Sequence, residues 1–461
     1  MGRTSDDELR GRANDAAASR EERLDALAGL AAALPPQERS EGRPSGESNN
    51  HVHTIYSFSP YTPSMAALRS REAGLEAAGS VDHDSISASR EMVAACALVG
   101  IGSVTGCELR VAFRSFPDGR RFSFADRKIN NPDSAGIVYM TIQGVSSGQV
   151  DRLSAFLEPI RAARLERTAR MTASASALLR EAGIEGLDFE RDVLSRSKAA
   201  EGGGVTERHL LAAVAERMIA RYGRGPSLVE GLKRGFGLTA SARLASLLAD
   251  GSNPILEYDL LGVLKAGFLD RVFEQPGPGE CPPAAGVVAF ARSIGAVPAY
   301  AYLGDVAESP TGDKKAERFE DDFIEELFDA LKTTGFLAVT YMPPRNTQAQ
   351  LERVRALCDQ RGLMQISGVD INSPRQSFNC PELRRPEFAN LGDSTWALVA
   401  HERLSSKDSR VGLFAPDGPL ATLPLAGRIE AYARAGRALD PSRPGEPGPV
   451  LEKLKKGGYS R

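Results

Sequence analysis

The sequence predicts an α/β barrel that is interrupted by a mainly helical insertion. Two blocks of the chain alternate β-strand and α-helix patterns, and a long stretch of helical periodicity separates them. Alternation at this pace is typical of right-handed βαβ units and a parallel sheet. Polar side chains follow several of the predicted strands, at the end of a parallel barrel where chemistry is usually found.

Composition and charge exclude several classes of protein. The 461 residues are 42% hydrophobic and 25% charged, which is typical of a globular chain with a large core. The net charge of -3 predicts no strong general affinity for nucleic acid. The five cysteines form no CxxC pair, and the sequence has no apolar leader and no run of about 18 apolar residues. We expect a cytoplasmic protein that does not engage a membrane; its oligomeric state is left open.

Two terminal segments are predicted to lie outside the barrel. Residues 1–48 comprise a leucine-spaced amphipathic helix that ends at Pro35 and Pro36, followed by the polar linker QERSEGRPSGESNN. Residues 441–461 are rich in Pro and Gly and are predicted to be a flexible, frayed tail.

The barrel is predicted in two parts. The first part, 49–112, alternates strands and helices, with strands near 51–55, 78–82 and 101–108 and helices near 63–74 and 86–98. The insertion, 113–285, contains one strand in IVYMTIQGV and is otherwise mostly helical. The second part, 286–440, resumes the alternation, with strands in GAVPAYAYL, FLAVTY and LMQISGVDI.

Metal-binding residue types recur at the predicted strand ends. His51 and His53 are two residues apart in NNHVHTIYSFSP, so an extended strand would present both imidazoles on one side. Further candidates follow at VDHD, TGCE and SGVDIN: Asp82, His83, Glu108 and Asp370. Each motif alone is compatible with a packing histidine or a helix cap. All four in this order predict a divalent metal site of imidazoles and carboxylates.

These motifs carry a family resemblance. HVHTIYSFSP, SVDHDS and VTGCELRV resemble the first three motifs of the PHP (polymerase and histidinol phosphatase) family, and GLMQISGVDIN resembles the closing motif. Members are metal-dependent phosphoesterases on a distorted, TIM-like (β/α)7 barrel related to that of the amidohydrolases. VTERHLLAAV is similar to an insertion segment that reads Arg-Pro-His in many relatives. The resemblance therefore implies a PHP-type barrel with a mainly helical insertion.

The resemblance also implies roles for individual residues. His51, His53, Glu108 and Asp370 would form one metal site, and His83, with help from Asp82, would serve an adjoining one. Three family histidines are replaced, by Tyr139, Tyr302 and Asn372. Asn372 retains a carbonyl oxygen as a ligand, and the two tyrosines are weaker candidates, as phenolates. We expect one or two divalent ions per chain, Mn, Fe or Zn.

The expected activity is phosphoester hydrolysis. A metal-bound hydroxide would attack a phosphate ester of a small molecule or nucleotide, with Asp82, His83 and Asp370 as catalytic residues. Cations near the rim are candidates for holding the phosphate, together with one histidine at a helix start: Arg208, His209, Arg345 and Arg375. Two alternatives remain open, a degenerate barrel that acts as a non-catalytic ligand-binding or regulatory module, and hydrolysis of an amide or carboxylic ester. His401 is predicted to be an ordinary surface or packing histidine and Cys107 a core residue.

Overall fold

The structure, a computed structural model, describes residues 5–35, 46–306 and 318–459. Within these ranges, seven strands form a sheet whose spatial order is the order of the sequence. They are β1 (Ser48–Val52), β2 (Ala77–His83), β3 (Gly102–Ala112), β4 (Ile137–Gln143), β5 (Val297–Ala301), β6 (Ala338–Tyr341) and β7 (Met364–Ser367). A parallel bridge between Val52 and Ile371 returns the last strand to the first. The sheet is a nearly closed barrel, which confirms the predicted distorted TIM-like fold with a helical insertion.

The fourth strand corrects the expectation of an entirely parallel sheet. β4 runs antiparallel to both β3 and β5, whereas the other neighbouring strands of the sheet are parallel. No helix lies between β3 and β4 in the structure, and a chain that returns without a crossover helix pairs in the antiparallel direction. β4 lies in the barrel although it falls within 113–285, and the boundaries of the insertion stay a prediction.

Helices surround the sheet and form the inserted segment. Those next to the strands are α3 (Pro63–Glu72), α4 (Ser89–Val99), α10 (Ala284–Ser293), α11 (Ile324–Thr334), α12 (Gln348–Arg361) and α13 (Ala389–Ser405). Those inserted between β4 and β5 are α5 (Val150–Glu181), α6 (Glu207–Tyr222), α7 (Pro226–Phe236), α8 (Ala242–Ala249) and α9 (Leu256–Gly267). The inserted helices share a hydrophobic cluster of their own. None of the described helices has both the length and the apolar character that a membrane span requires.

Two buried asparagines help to close the barrel between β1 and β7. The amide of Asn49 accepts a hydrogen bond from the backbone N–H of Val369 and donates one to its carbonyl, both at 2.9 Å. Asn50 donates to the carbonyl of Ser367, also at 2.9 Å. Backbone groups removed from water must be paired, so these amides supply hydrogen bonds where the two strands diverge.

The N-terminal segment forms two helices rather than the one predicted. α1 (Asp6–Ala13) and α2 (Arg20–Ala31) each begin with a capping box, from Ser5 with Glu8 and from Ser19 with Glu22. Most of the predicted linker, 37–45, lies outside the described residues, and its last residues belong to β1. The serine caps supply the hydrogen-bond acceptors that the first backbone N–H groups of a helix lack.

The C-terminal segment is not the frayed tail that its composition predicted. Residues 425–438 form α14, which packs on α13, and Gly448–Lys455 form α15. Leu454 of α15 is fully buried, and Val450 and Leu451 are nearly so. These side chains join a hydrophobic cluster with residues of α13 and α14, and apolar burial of this kind stabilises a short helix despite its Pro- and Gly-rich flanks.

A buried ion pair attaches α2 to the barrel. The guanidinium of Arg23 donates to both carboxylate oxygens of Glu91 on α4, at 3.0 and 2.6 Å, and each side chain is 1% exposed. Arg23→Ala is expected to lower the free energy of unfolding by about 3–5 kcal/mol, because it leaves a buried charge without its partner. Urea denaturation measures this loss.

Arg20 provides the matched control for that measurement. It lies on the same helix, and its ion pair with Glu21 is exposed to solvent. Arg20→Ala should change stability by less than about 1 kcal/mol. Equal effects of the two substitutions would contradict the anchoring role of Arg23.

Candidate metal centre

Strands β1, β2, β3 and β7, with the residues that follow β1 and β7, bring five predicted residues together; Glu108 lies within β3, which continues to Ala112. Parallel pairing of β2 with β3 sets His83 directly beside Glu108. His51 lies on β1 and His53 follows it, while Asp370 follows β7. We call His51, His53, His83, Glu108 and Asp370 the candidate metal centre, or the centre for short.

The approach of β7 to β1 depends on a glycine. A Cβ atom at Gly368 would lie 2.6 Å from the Cβ of His51 and 3.1 Å from its backbone nitrogen. Real Cβ atoms do not approach one another this closely, so any other residue would displace His51. Gly368 therefore permits the contact that carries Asp370 to the histidines.

The nitrogen and oxygen atoms of these side chains lie close enough together to surround one small volume. One ligand atom each from His51, His53 and Glu108 lies within 4.8 Å of the others, and all three residues are buried. Nε2 of His51 is 3.6 Å from Oε1 of Glu108, and Nδ1 of His83 is 3.1 Å from Oε2. Nε2 of His53 is 3.4 Å from Oδ1 of Asp370.

A hydrogen-bond chain fixes the tautomer of His53. The hydroxyl of Ser57 donates to Oδ1 of Asp82 at 2.6 Å, so its oxygen is left to accept from Nδ1 of His53 at 3.3 Å. A neutral imidazole protonated on Nδ1 carries its lone pair on Nε2. That Nε2 is buried and has no hydrogen-bond partner among the described residues. The lone pair faces the centre.

Asp82 is a supporting residue rather than a member of the centre. Besides Ser57, it accepts hydrogen bonds from the backbone N–H and the hydroxyl of Thr54, each at 2.6 Å, and it is 1% exposed. Burial raises the pKa of Asp82 despite these donors. The geometry therefore opposes the predicted catalytic role of Asp82, because substrate cannot reach it, and gives it the task of holding the loop after β1.

Electrostatics keep His53, Glu108 and Asp370 in the forms that bind a cation, whereas Glu108 raises the pKa of His51 against the effect of burial. Burial lowers the pKa of His53 to about 3, and the charge of His83 adds to this effect. Burial works against ionisation of Glu108, but His51 and His83 bring its pKa well below the usual value. Burial is likewise overcome at Asp370 by the imidazoles of His53 and His51, and its pKa is lowered. Near neutral pH the centre offers a neutral His53 and two carboxylates.

Asn372 lies beside the centre, with its amide engaged by two charged neighbours. Its Nδ2 donates to Oδ1 of Asp370 at 2.7 Å, and its Oδ1 accepts from Arg208 at 2.5 Å. Since a guanidinium only donates and a carboxylate only accepts, these partners define which amide atom faces which way. The amide oxygen, predicted as a metal ligand, is directed at Arg208.

The two tyrosines at replaced histidine positions differ in placement. The ring of Tyr139 lies 6.0 Å from that of His83, beside the centre. The hydroxyl of Tyr302 donates to Oδ1 of Asp321 at 2.6 Å. Burial raises the pKa of both phenols, which disfavours the phenolate that binds metal.

Of the four predicted substrate-binding residues, the structure brings Arg208 to the centre. Arg375 forms a two-point ion pair with Asp259 of α9, at 2.5 and 2.7 Å, and Arg345 donates to the carbonyl of Leu303 at 3.1 Å. His209 accepts at Nδ1 from the backbone N–H of Thr206 at 3.0 Å, so it completes the capping box of α6. Ligation and substrate contact at all the predicted positions stay predictions.

Two further predicted residues lie in the core. His401, on α13, is 1% exposed, and its Nδ1 accepts from the backbone N–H of Leu413 at 2.9 Å. It is a packing histidine and not a surface one. Cys107 is fully buried, and burial raises the pKa of its thiol.

A set of buried charges next to the centre escaped the sequence analysis. It joins three arginines to three carboxylates, and we call it the buried ion network: Arg110, Arg164, Arg167, Asp84, Glu207 and Glu280. Glu207 accepts from the three arginines at 3.2, 2.6 and 2.5 Å. The position of Arg110 could have been predicted from the sequence, because residues two apart on a strand, such as Glu108 and Arg110, point to the same face. Its partners lie too far along the chain to be paired with it from sequence.

The residues present fit a divalent ion. Imidazole nitrogens and carboxylate oxygens are the ligands of transition metals in hydrolytic sites, and the unpartnered, buried Nε2 of His53 is of the type that ligates one. The chain from His53 through Ser57 to Asp82 is the kind of supporting hydrogen bond that metal-ligating histidines make.

Two solved structures are similar to this chain over about three quarters of its length. No family model matches this chain, and no curated protein matches it significantly. One similar solved structure is an amidohydrolase from Chromobacterium violaceum with bound sulfate and no metal; it is 19% identical, covers 75% of this chain and 96% of that one, and has a TM-score of 0.45. A second, from Bifidobacterium adolescentis, is provisionally assigned as a metal-dependent phosphoesterase; it is 18% identical, covers 73% and 91%, and has a TM-score of 0.46.

Ser57 tests the supporting hydrogen bonds. Ser57→Ala removes the link between His53 and Asp82, and we expect metal affinity to fall by about 10- to 100-fold. A competition titration with a chelating fluorophore measures the change. Ser59→Ala, in the same loop, should leave affinity within about twofold, because the hydroxyl of Ser59 accepts from the backbone N–H of Tyr61 and not from a residue of the centre. Unchanged affinity in Ser57→Ala would contradict the assigned role.

Proposed function

We propose that this protein is a metal-dependent hydrolase and, more specifically, a phosphoesterase acting on a small phosphorylated molecule. The observation that carries the first part is the buried group of His51, His53 and Glu108, whose ligand atoms lie within 4.8 Å of one another. His83 and Asp370 complete it: Nδ1 of His83 lies 3.1 Å from Glu108, and Oδ1 of Asp370 lies 3.4 Å from Nε2 of His53. A divalent ion held there would lower the pKa of water and stabilise negative charge on the substrate.

Arg208 supports the phosphoester part of the proposal. Its guanidinium is partly buried, and among the described residues no carboxylate lies within 4.0 Å of it. Its polar partners are the side-chain and backbone oxygens of Asn372, at 2.5 and 3.2 Å, and its cation lies 5.2 Å from the ring centre of Phe58. Arginines of the buried ion network are neutralised by carboxylates, whereas Arg208 retains charge for an anionic ligand.

The side chains of the centre divide into hidden and accessible ones. His53 is 1% exposed and Glu108 9%, whereas Asp370 is 43% exposed and His83 22%. Substrate and water therefore reach Asp370 and His83. The lowered pKa of Asp370 keeps it ionised near neutral pH, the form that would bind a cation or accept a hydrogen bond from water. His83 is placed to form a hydrogen bond with a leaving group.

Metal content is the decisive measurement. Protein purified without added metal or chelator is expected to hold about one or two transition ions per chain, and His51→Ala is expected to lose them. Mass spectrometry gives both numbers. His401→Gln is the matched control, because His401 packs in the core and should not affect binding.

A wild-type protein that holds no ion, even after supplementation with manganese, iron or zinc, would contradict the hydrolase. That result would favour the non-catalytic ligand-binding module. Hydrolysis of amides but of no phosphate ester, by the metal-loaded protein, would retain the hydrolase and reject the phosphoesterase.

Arg208 tests the substrate class. Arg208→Ala is expected to weaken binding of inorganic phosphate by about tenfold or more, because a charge-assisted hydrogen bond to the anion is lost. Isothermal titration calorimetry measures the affinity, and metal content serves as a check that the centre is intact. Arg90→Ala, which removes an exposed arginine paired with an exposed Asp151, is the charge-matched control. An unchanged phosphate affinity would exclude Arg208 from the anion site.

A further inference from the structure

The side-chain amide of Asn372 lies between two opposite charges, the guanidinium of Arg208 and the carboxylate of Asp370. On one side Arg208 donates to its Oδ1 at 2.5 Å and to its backbone oxygen at 3.2 Å. On the other side its Nδ2 donates to Oδ1 of Asp370 at 2.7 Å. The backbone N–H of Asn372 donates to the side chain of Gln376 at 2.7 Å, which holds the residue in place. The order arginine, amide, carboxylate spans two elements, α6 and the end of β7.

We propose that Asn372 is a positioning residue that keeps Arg208 and Asp370 from forming an ion pair. A direct pair would neutralise both groups, at a place where the metal needs the carboxylate and the substrate anion needs the guanidinium. An asparagine satisfies each group by hydrogen bonding while it carries no charge. The charged form of Arg208 is destabilised by burial, which lowers its pKa. Removal of the Asn372 amide would therefore favour movement of the guanidinium onto the carboxylate of Asp370.

The same contacts indicate what Asn372 does at a position where the family resemblance implied a metal-ligating histidine. The amide directs its oxygen at Arg208 and its nitrogen at Asp370, so the contacts that it makes are with these two residues. Asp370 keeps Oδ2, for which the described residues provide no hydrogen bond, free to act at the centre. Asn372 thus acts through its two neighbours and not by ligation.

The first experiment uses chelator-treated, metal-free protein and inorganic phosphate, so that it is independent of the proposed metal. Asn372→Ala should weaken phosphate binding by about tenfold, because Arg208 pairs with Asp370 instead. In Asp370→Asn that pairing is impossible, so adding Asn372→Ala should change affinity by less than about twofold. Asn372→Asp, of the same shape, should also weaken binding because its carboxylate pairs with Arg208. Circular dichroism confirms that each variant is folded.

The second experiment measures manganese affinity and rests on the proposed function. Asn372→Ala should lower it by about tenfold in the wild-type background and by less than about twofold in Arg208→Ala, where no guanidinium can occupy Asp370.

Three outcomes would overturn the inference. They are no measurable phosphate binding by the wild type, an unchanged affinity in Asn372→Ala, and an equal loss in the presence and absence of the Asp370 charge. A wild type that binds phosphate as described but no manganese, iron or zinc would leave the inference standing and reject the metal-dependent hydrolase.

Discussion

Closure of the sheet between β1 and β7 is the constraint on which the rest of the structure depends. The two strands meet through a bridge at Val52 and Ile371 and through the side-chain amides of Asn49 and Asn50. Closure carries Asp370 to the histidines of the first strand, from the far end of the barrel sequence. If the first and last strands did not meet, Asp370, the more exposed of the two carboxylates of the centre, would not lie beside His51, His53 and Glu108.

A second constraint ties the helical insertion to the barrel. Glu207 at the start of α6 accepts from Arg110 on β3 and from Arg164 and Arg167 on α5. Isolated charges are costly to bury, but this network balances three arginines against three carboxylates. Because Glu207 is held there, the next residue, Arg208, is fixed at the mouth of the centre. The position of the candidate anion site therefore follows from ion pairs that do not themselves touch substrate.

The centre combines buried side chains whose orientation is fixed by hydrogen bonds with a carboxylate that is exposed to solvent. His53 is oriented by a hydrogen-bond chain to Asp82 and has a single useful lone pair, while Asp370 remains open to solvent. Hidden ligands with fixed tautomers favour tight metal binding, and an accessible carboxylate favours exchange with water and substrate. Asn372 adds a neutral group between the guanidinium of Arg208 and the carboxylate of Asp370. In the proposed site, this separation of charges would matter as much as the ligands do.

The sequence by itself determined the barrel class and the polar residues at its strand ends. The spacing of His51 and His53 and the register of strand patterns follow local rules, because side-chain direction repeats along a strand. Only the tertiary structure decided that β4 runs antiparallel, that Asp82 supports His53 from outside the centre, and that Arg375 pairs with Asp259. These features depend on which polar or charged groups, distant in the sequence, pair with one another when the side chains become buried. Local pattern cannot specify that choice, since each charged or polar group has many possible partners until the chain is packed.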